Sequence, residues 1–204
     1  FILGKWVASS GVIYPMFNPK IHVFSKPPEN CSRYFISCDY GTVNPCSFGL
    51  WGFSEGIWYR LEEYYYSSKR EGISRTDEEH YSALEKLAKD IPIESVIVDP
   101  SASSFIECIR RHGKFNVIHA RNDVISGIRK VSDALKQRKI MFSADCTDCL
   151  REFSLYRWNE KSGGDIPVKE NDHALDDVRD FVTHVLSHPT GSEFFVASLS
   201  RQHS

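Results

Sequence analysis

The segment Tyr34-Phe-Ile-Ser-Cys-Asp39 begins the most regular part of the sequence and ends in a carboxylate. Two similar runs follow after short links, Ser47-Phe-Gly-Leu-Trp-Gly-Phe53 and Ile57-Trp-Tyr-Arg-Leu-Glu-Glu-Tyr-Tyr-Tyr66. Apolar and aromatic runs of this length, bounded by turn residues, are typical of β-strands. Because links this short favour antiparallel neighbours, the sequence predicts three antiparallel strands between residues 34 and 66.

After residue 66 the pattern becomes an alternation of helices and short strands. Thr76-Asp-Glu-Glu79 is a capping box, the usual start of a helix. Helices are predicted over 76–88, 103–112, 123–138, 147–158 and 172–186, and strands over 96–98, 115–119 and 140–142. Since crossover helices join parallel strands, the sequence predicts an α/β fold: a mixed sheet of three antiparallel strands and then parallel strands, with helices on both faces.

Acidic residues stand where two of these strands end and on the last helix. Asp39 and Asp99 each follow a strand, and binding sites in such sheets form beyond the carboxyl ends of parallel strands. The last helix carries His173, Asp176 and Asp180 on one side. Side chains of this kind suit Mg²⁺ or Mn²⁺. Two such ions about 4 Å apart promote phosphodiester cleavage.

Each of these residues also has a local explanation. Asp39 and Asp99 are the residue type that starts turns, and Asp99 could instead cap the helix after it. Asp172 could be an N-cap, which would leave His173 in a first helical turn without a function. We expect Asp177 to point away from His173, towards the surface or a position that supports the site.

A basic segment interrupts an acidic chain. Residues 110–139 carry nine Lys or Arg and two Asp, so this span has a charge of +7, whereas the whole chain has −2. Such a segment is typical of a polyanion-binding surface, and a solvated helical face is an equally good explanation. The residues predicted to bind nucleic acid are Arg121, Arg129, Lys130, Lys136, Arg138 and Lys139.

Other motifs narrow the class of protein. Cys146-Thr-Asp-Cys149 matches C-x-x-C, but the second ligand pair of a structural zinc site is missing, so core packing is favoured over a zinc or redox role. No run of eighteen apolar residues occurs, so we expect no membrane span. The sequence contains no P-loop and no G-x-G-x-x-G after a strand, which disfavours a small-molecule α/β binding domain.

Three segments together resemble a known family. Phe35-Ile-Ser-Cys-Asp39-Tyr-Gly-Thr42, Val96-Ile-Val-Asp99-Pro-Ser-Ala102 and Asp172-His-Ala-Leu-Asp176-Asp177 resemble the C-terminal nuclease domain of a tailed-bacteriophage large terminase subunit. Leu3-Gly-Lys-Trp6 resembles the linker after the ATPase domain of those proteins. The resemblance covers at least residues 3–186.

The resemblance implies an RNase H-like fold and a metal-dependent endonuclease that cuts concatemeric viral double-stranded DNA. It implies that Asp39, Asp99 and Asp176 are catalytic metal ligands for Mg²⁺ or Mn²⁺, with two ions expected. His173 would be a further ligand or an acid/base group, and Asp180 has no defined role. Residues 161–168 would form a β-hairpin near the active site.

The same resemblance implies a domain order and partners. Residues 1–30 would be an entry arm from an ATPase domain outside this sequence, 31–187 the nuclease domain, and 188–204 a weakly ordered tail. The partners would be double-stranded DNA, the ATPase domain, the portal protein and the small terminase subunit, in the cytoplasm of the infected bacterial host.

Two other classes remain open from the sequence. A different RNase H-like nuclease, such as a junction resolvase or a transposase, would keep the acids and change the substrate. A non-catalytic DNA-binding assembly module would keep the fold without binding the metal.

Overall fold

The computed structural model of the chain describes residues 11–42, 44–121, 123–159 and 166–186. A seven-stranded sheet in the order β1-β7-β4-β3-β2-β5-β6 forms its centre. The strands are β1 (Val23–Phe24), β2 (Arg33–Asp39), β3 (Cys46–Ser54), β4 (Ile57–Tyr66), β5 (Ser95–Val98), β6 (Val117–His119) and β7 (Ile140–Ser143). Strand β3 runs antiparallel to both of its neighbours, and all other neighbouring pairs are parallel.

Helices cover both faces of this sheet, as predicted. They are α1 (Pro19–His22), α2 (Ser68–Glu71), α3 (Asp77–Ala88), α4 (Ser103–His112), α5 (Val124–Lys136), α6 (Thr147–Leu155) and α7 (His173–Phe181), and α7 continues into a π-helical segment (Val182–Leu186). Side chains of α3 and α4 form one core cluster, while α5, α6 and α7 contribute to a second. The predicted antiparallel meander, mixed sheet and α/β class are confirmed. Among the described residues no helix is long and apolar enough to cross a membrane.

Several boundaries differ from the sequence prediction. The strand predicted over 115–119 begins at Val117. The helix predicted to reach residue 158 ends at Leu155, because Tyr156 is extended and the next two residues make β-bridges, Val12 to Arg157 and Trp158 to Pro167. The second bridge stands at the base of the predicted hairpin, whose residues 160–165 lie outside the described part of the chain.

The described part of the predicted entry arm packs into the core of the domain. Ile13, Tyr14 and Phe17 are buried, and the Phe17 ring stacks on Phe153 with 3.9 Å between ring centroids. Strand β1 pairs in parallel with β7 at the edge of the sheet. Residues 11–24 therefore form part of the folded body. The predicted linker motif at residues 3–6 and the predicted tail at 188–204 lie outside the described residues.

The cysteines of the C-x-x-C motif are core residues, as favoured by the sequence. Cys146 and Cys149 are fully buried at the start of α6 and belong to the same core cluster as Phe153. All six cysteines of the chain are free thiols.

A buried ion pair fixes α7 against the sheet. Asp177 is fully buried and binds the guanidinium of Arg60 with both oxygens, one of them 3.0 Å from Nη2. It also accepts hydrogen bonds from Ser37, at 2.8 Å, and from Ser47. A side chain at Gly49 would overlap the guanidinium, so glycine is needed there.

Of the two positions expected for Asp177, the surface is therefore wrong, whereas a position that supports the site agrees with its burial. Four residues advance an α-helix by about 40° beyond a full turn, so Asp177 lies on nearly the same side as His173. That side faces the sheet, where Arg60 supplies the counter-charge that a buried carboxylate requires.

Arg60→Gln should lower the free energy of unfolding by about 3–5 kcal/mol, because it leaves Asp177 buried without its counter-charge. Urea denaturation at pH 7 measures the change. Lys136→Gln is the matched control, since Lys136 pairs with Asp133 at an exposed site, and its loss should cost less than about 1 kcal/mol. Similar effects of the two substitutions would show that the buried pair does not anchor α7.

Candidate active site

The register of two parallel strands brings Asp39 and Asp99 together. Cys38 of β2 pairs with Val98 of β5, so the residues that come next, Asp39 and Asp99, lie side by side where these parallel strands end. We call this end of the sheet, with the start of α7 beside it, the acidic edge. Asp99 Oδ1 accepts a hydrogen bond of 2.7 Å from the Ser101 backbone N–H, which confirms a local turn role. The N-cap of α4 is Ala102, so Asp99 does not cap that helix.

Helix α7 places His173 directly against the first strand. His173 Nδ1 lies 2.7 Å from Asp39 Oδ2. Burial raises the pKa of Asp39 to about 6, although the hydrogen bond from His173 opposes that change. Burial works against the charged form of His173, but Asp39 outweighs it and raises the pKa of the imidazole. The contact between Asp39 and His173 therefore depends on the protonation of both groups near neutral pH.

Asp176 lies about one helical turn after His173 and forms an ion pair with an arginine side chain. Its Oδ1 pairs with Nη1 of Arg179, three residues later on the same helix. Burial raises the pKa of Asp176, and Arg179 opposes that shift. A Cβ at Gly127 of α5 would lie 2.5 Å from Arg179 Cγ, so this glycine leaves room for the arginine stem.

Asp180 is a buried carboxylate that sequence reasoning left without a role. Its side-chain Oδ1 has no hydrogen-bond partner among the described residues, and the residue is 2% exposed. Burial raises its pKa well above the ordinary range; Arg179 opposes this, and Asp176, Asp39 and Asp99 add to it. Asp180 therefore lies close enough to the three predicted ligands for their negative charges to raise its pKa. In the sequence, the four-residue spacing from Asp176 to Asp180 indicated that both side chains lie on the same side of the helix.

A glutamate from the neighbouring helix orients the start of α7. Asp172 is the N-cap residue but makes no side-chain cap bond. Glu152 of α6 instead accepts the Ala174 N–H at 2.7 Å, and Tyr65 donates its hydroxyl to the same carboxylate at 2.7 Å. Burial raises the pKa of Glu152 to about 7. Sequence reasoning missed Glu152, because its local pattern is that of an ordinary helix residue.

The predicted nucleic-acid-binding residues are spread between the two ends of the parallel strands. Arg121 is exposed just after β6, at the same sheet edge as Asp99. Lys136, Arg138 and Lys139 precede β7 and are exposed at the opposite edge. Arg129 and Lys130 lie between, on α5. Of this set, the sheet topology places only Arg121 beside the acidic edge.

The candidate ligands lie at the same edge, but among the described residues no three of them gather their ligand atoms at one point. Among the described residues, no three of Asp39, Asp99, Asp176, Asp180 and His173 have ligand atoms all within 4.8 Å of one another. Two of the carboxylates are instead engaged by cationic side chains, Asp39 by His173 and Asp176 by Arg179. The carboxylate oxygens are hard donors that suit divalent cations, and a bound cation would have to compete with the His173 and Arg179 contacts.

Solved structures with similar folds come from bacteriophages. The large terminase of a thermophilic bacteriophage, in complex with ADP, is 46% identical over 92% of this chain, with a TM-score of 0.85. The P22 large terminase nuclease domain is 20% identical, with a TM-score of 0.67 over 86% of this chain and 92% of that domain. The nuclease domain of the bacteriophage SPP1 large terminase with bound Mn is 17% identical, with a TM-score of 0.59 over 80% of this chain and 97% of that domain.

The fold is therefore the one shared by the P22 and SPP1 terminase nuclease domains. The chain matches the nuclease domain of a bacteriophage large terminase subunit. It spans 48% of the length of the first of these relatives. The sequence matches no protein-family model, and no curated protein sequence matches it.

The raised pKa of Asp39 predicts a pH-dependent gain of stability in Asp39→Asn. The folded-state pKa of about 6 lies above the usual value of about 3.9, so the folded carboxyl binds its proton more tightly than the unfolded one. Ionisation therefore costs stability as the pH rises from about 4 to about 6. In chelator, the variant should exceed the wild type by on the order of 2 kcal/mol at pH 8 and match it near pH 4.

Urea titrations at the two pH values measure this difference. Asp145→Asn is the control, because Asp145 is exposed just beyond β7 at the same sheet edge. It should leave the stability within about 0.5 kcal/mol of the wild type at both pH values. A destabilised Asp39→Asn variant at pH 8 would contradict the electrostatic interpretation of the site.

Proposed function

We propose that the chain is a metal-dependent endonuclease domain that cuts concatemeric double-stranded DNA during viral genome packaging. The observation that carries this proposal is the convergence of Asp39, Asp99, His173 and Asp176 at one sheet edge. The edge belongs to a fold shared with terminase nuclease domains. One of those domains is described with bound Mn, which supports divalent-metal chemistry at a site of this type.

The donor set fits Mg²⁺ or Mn²⁺. Carboxylate oxygens are the ligands these ions prefer, and the buried Oδ1 of Asp180 has no partner among the described residues. Asp39, Asp99 and Asp176 would hold the metal, with two ions expected, and His173 is the candidate for a further ligand. Asp180 is close enough to these carboxylates for their charges to interact with its own. Bound divalent ions would activate the attacking water and stabilise the leaving oxygen.

Protein groups of the site prepare this chemistry. His173 keeps Asp39 oriented through Nδ1, and its Nε2 lies 3.8 Å from Asp172 Oδ1. The raised pKa of His173 favours a protonated imidazole, which could donate its proton to the departing oxygen. Arg179 positions Asp176 and balances its charge. Metal binding therefore competes with two existing contacts, one at Asp39 and one at Asp176.

DNA would be held through its phosphates. Arg121 lies at the active-site edge, whereas Lys136, Arg138 and Lys139 could contact only DNA that continues past α5 to the other edge. Arg129 and Lys130 on α5 lie between these two ends. Phosphate contacts of this kind position the duplex without reading bases, so binding should be sequence-tolerant and strongly salt-dependent.

The remaining partners belong to the longer protein. The chain spans 48% of the length of the thermophilic-phage terminase that is 46% identical to it. We extend the proposal to an ATPase domain in the same polypeptide, a portal protein, a small terminase subunit and the cytoplasm of the infected host. Residues 1–30 would connect the two domains, and residues 31–187 would form the nuclease.

Asp39→Asn should reduce Mn²⁺-dependent cleavage of a linear DNA duplex at least about 100-fold, because an amide cannot replace a charged ligand that contributes several kcal/mol. Asp180→Asn should reduce cleavage about 10- to 100-fold, as expected for a carboxylate that supports the ligands. Initial rates of nicking and linearisation, measured with Mn²⁺ in excess, provide the comparison.

Asp145→Asn is the matched control and should retain activity within about twofold. Full activity of Asp39→Asn would overturn the site assignment, and full activity of Asp180→Asn would remove Asp180 from it. A strong preference for four-way junctions over linear duplexes would favour the resolvase alternative. Absence of Mn²⁺ binding in the wild type would favour a non-catalytic module.

A further inference from the structure

Helices α3 and α4 meet at a group of three potential metal ligands outside the proposed active site. A carboxylate oxygen of Glu78, the sulfur of Cys108 and an imidazole nitrogen of His112 all lie within 4.8 Å of one another. This is the one such group of three among the described residues. We call these three residues the α3–α4 cluster.

The spacing of two members suits chelation. Cys108 and His112 are four residues apart on α4, so their side chains project from the same side of the helix. Pairs of ligands at this helical spacing hold zinc in other proteins. Glu78, the second residue of α3, supplies an oxygen from the adjacent helix. A cation at this position would be held by two elements that lie far apart in sequence.

Neighbouring side chains already orient two of the ligands. The His112 ring stacks on Tyr81, with 3.8 Å between ring centroids and an angle of 6° between ring planes. His112 Nε2 lies 2.8 Å from Glu78 Oε2, while Arg111 holds Glu78 Oε1. Oε2 therefore faces the cluster, and the other oxygen is fixed from outside. Partners of this kind orient metal ligands and tune their basicity.

We propose that Glu78, Cys108 and His112 bind one divalent cation of the zinc class. Thiolate and imidazole ligands select zinc-like ions over Mg²⁺ and Ca²⁺, and three protein ligands leave one position for water. The cation would enter from solvent, since the side chains of Glu78 and His112 are 53% and 39% exposed while Cys108 is buried beneath them. Its two positive charges would be balanced by the carboxylate and the thiolate.

The cation would tie α3 to α4 without taking part in catalysis. Asp77, adjacent to Glu78, accepts a hydrogen bond from Tyr40, and the Tyr40 ring stacks on Phe105 of α4 at 4.6 Å. Tyr40 directly follows Asp39 in the chain. A cation at the α3–α4 cluster would therefore stabilise the two helices that contact Tyr40, the residue next to Asp39.

Cobalt titration of the 204-residue chain tests the proposal, because Co²⁺ bound to a thiolate gives a near-ultraviolet charge-transfer band. The band should rise to the intensity of one thiolate-bound Co²⁺ per chain, and added Zn²⁺ should abolish it. Cys108→Ser should remove the band. His112→Ala and Glu78→Gln should each weaken Co²⁺ binding at least about 100-fold, more than the loss of a residue that only orients a ligand.

Cys31→Ser is the matched control, since Cys31 is a partly exposed cysteine outside the cluster, and it should keep the band. Carboxylates and His173 at the active site cannot produce a thiolate band, so the result is independent of nuclease activity. Absence of the band in the wild type would overturn the proposal, as would its persistence in Cys108→Ser. If Cys108→Ser does not fold, unchanged binding in both His112→Ala and Glu78→Gln would overturn it.

Discussion

The ion pair between Asp177 and Arg60 sets the position from which α7 presents the candidate active-site residues. Both side chains are fully buried, so the pair has little freedom to move and strongly opposes rotation of the helix. Phe181 adds to this constraint, because its ring stacks on Trp51 with 4.0 Å between ring centroids. With Asp177 fixed on the sheet, His173 reaches Asp39 and Asp176 lies at the same edge.

The same constraint extends to the neighbouring helix through carboxylates placed at helix starts. Glu63 lies 3.7 Å from Arg60 and accepts the backbone N–H groups of Asp148 and Cys149 at the start of α6. Glu152 of α6 then accepts the N–H of Ala174 at the start of α7. A carboxylate at a helix N-terminus satisfies free donors and complements the helix dipole. Thus one buried arginine connects β4 to both helices around the site.

Local sequence patterns were sufficient for much of the fold. The meander followed from strands with short links, and the capping box at Thr76 marks the start of α3 in the structure. The meeting of Asp39 and Asp99 followed from parallel strand ends. These features depend on spacing along the chain, which the sequence displays directly.

Long-range partners could not be predicted in this way. Arg60 and Asp177 are 117 residues apart, and nothing in either local pattern identifies the other as its partner. The roles of Glu152 and Arg179 also depend on tertiary packing. The basic residues are close together in sequence, but α5 spreads them between opposite ends of the parallel strands.

The acidic edge is a costly arrangement in the absence of a cation. Burial and mutual repulsion raise the pKa of Asp39, Asp176 and Asp180, and His173 and Arg179 oppose this effect. Electrostatic repulsion of this kind is common at ligand-binding sites. The carboxylates that destabilise the metal-free protein would be the same groups that bind the metal.

The most direct test is a crystal structure of the chain soaked in Mn²⁺, with anomalous scattering used to place the ions. We expect manganese between Asp39 and Asp176, with Asp99 as a ligand and oxygen distances of about 2.0–2.3 Å. Manganese bound elsewhere, with Asp39 still paired to His173 and Asp176 to Arg179, would contradict the assignment of this edge as the metal centre.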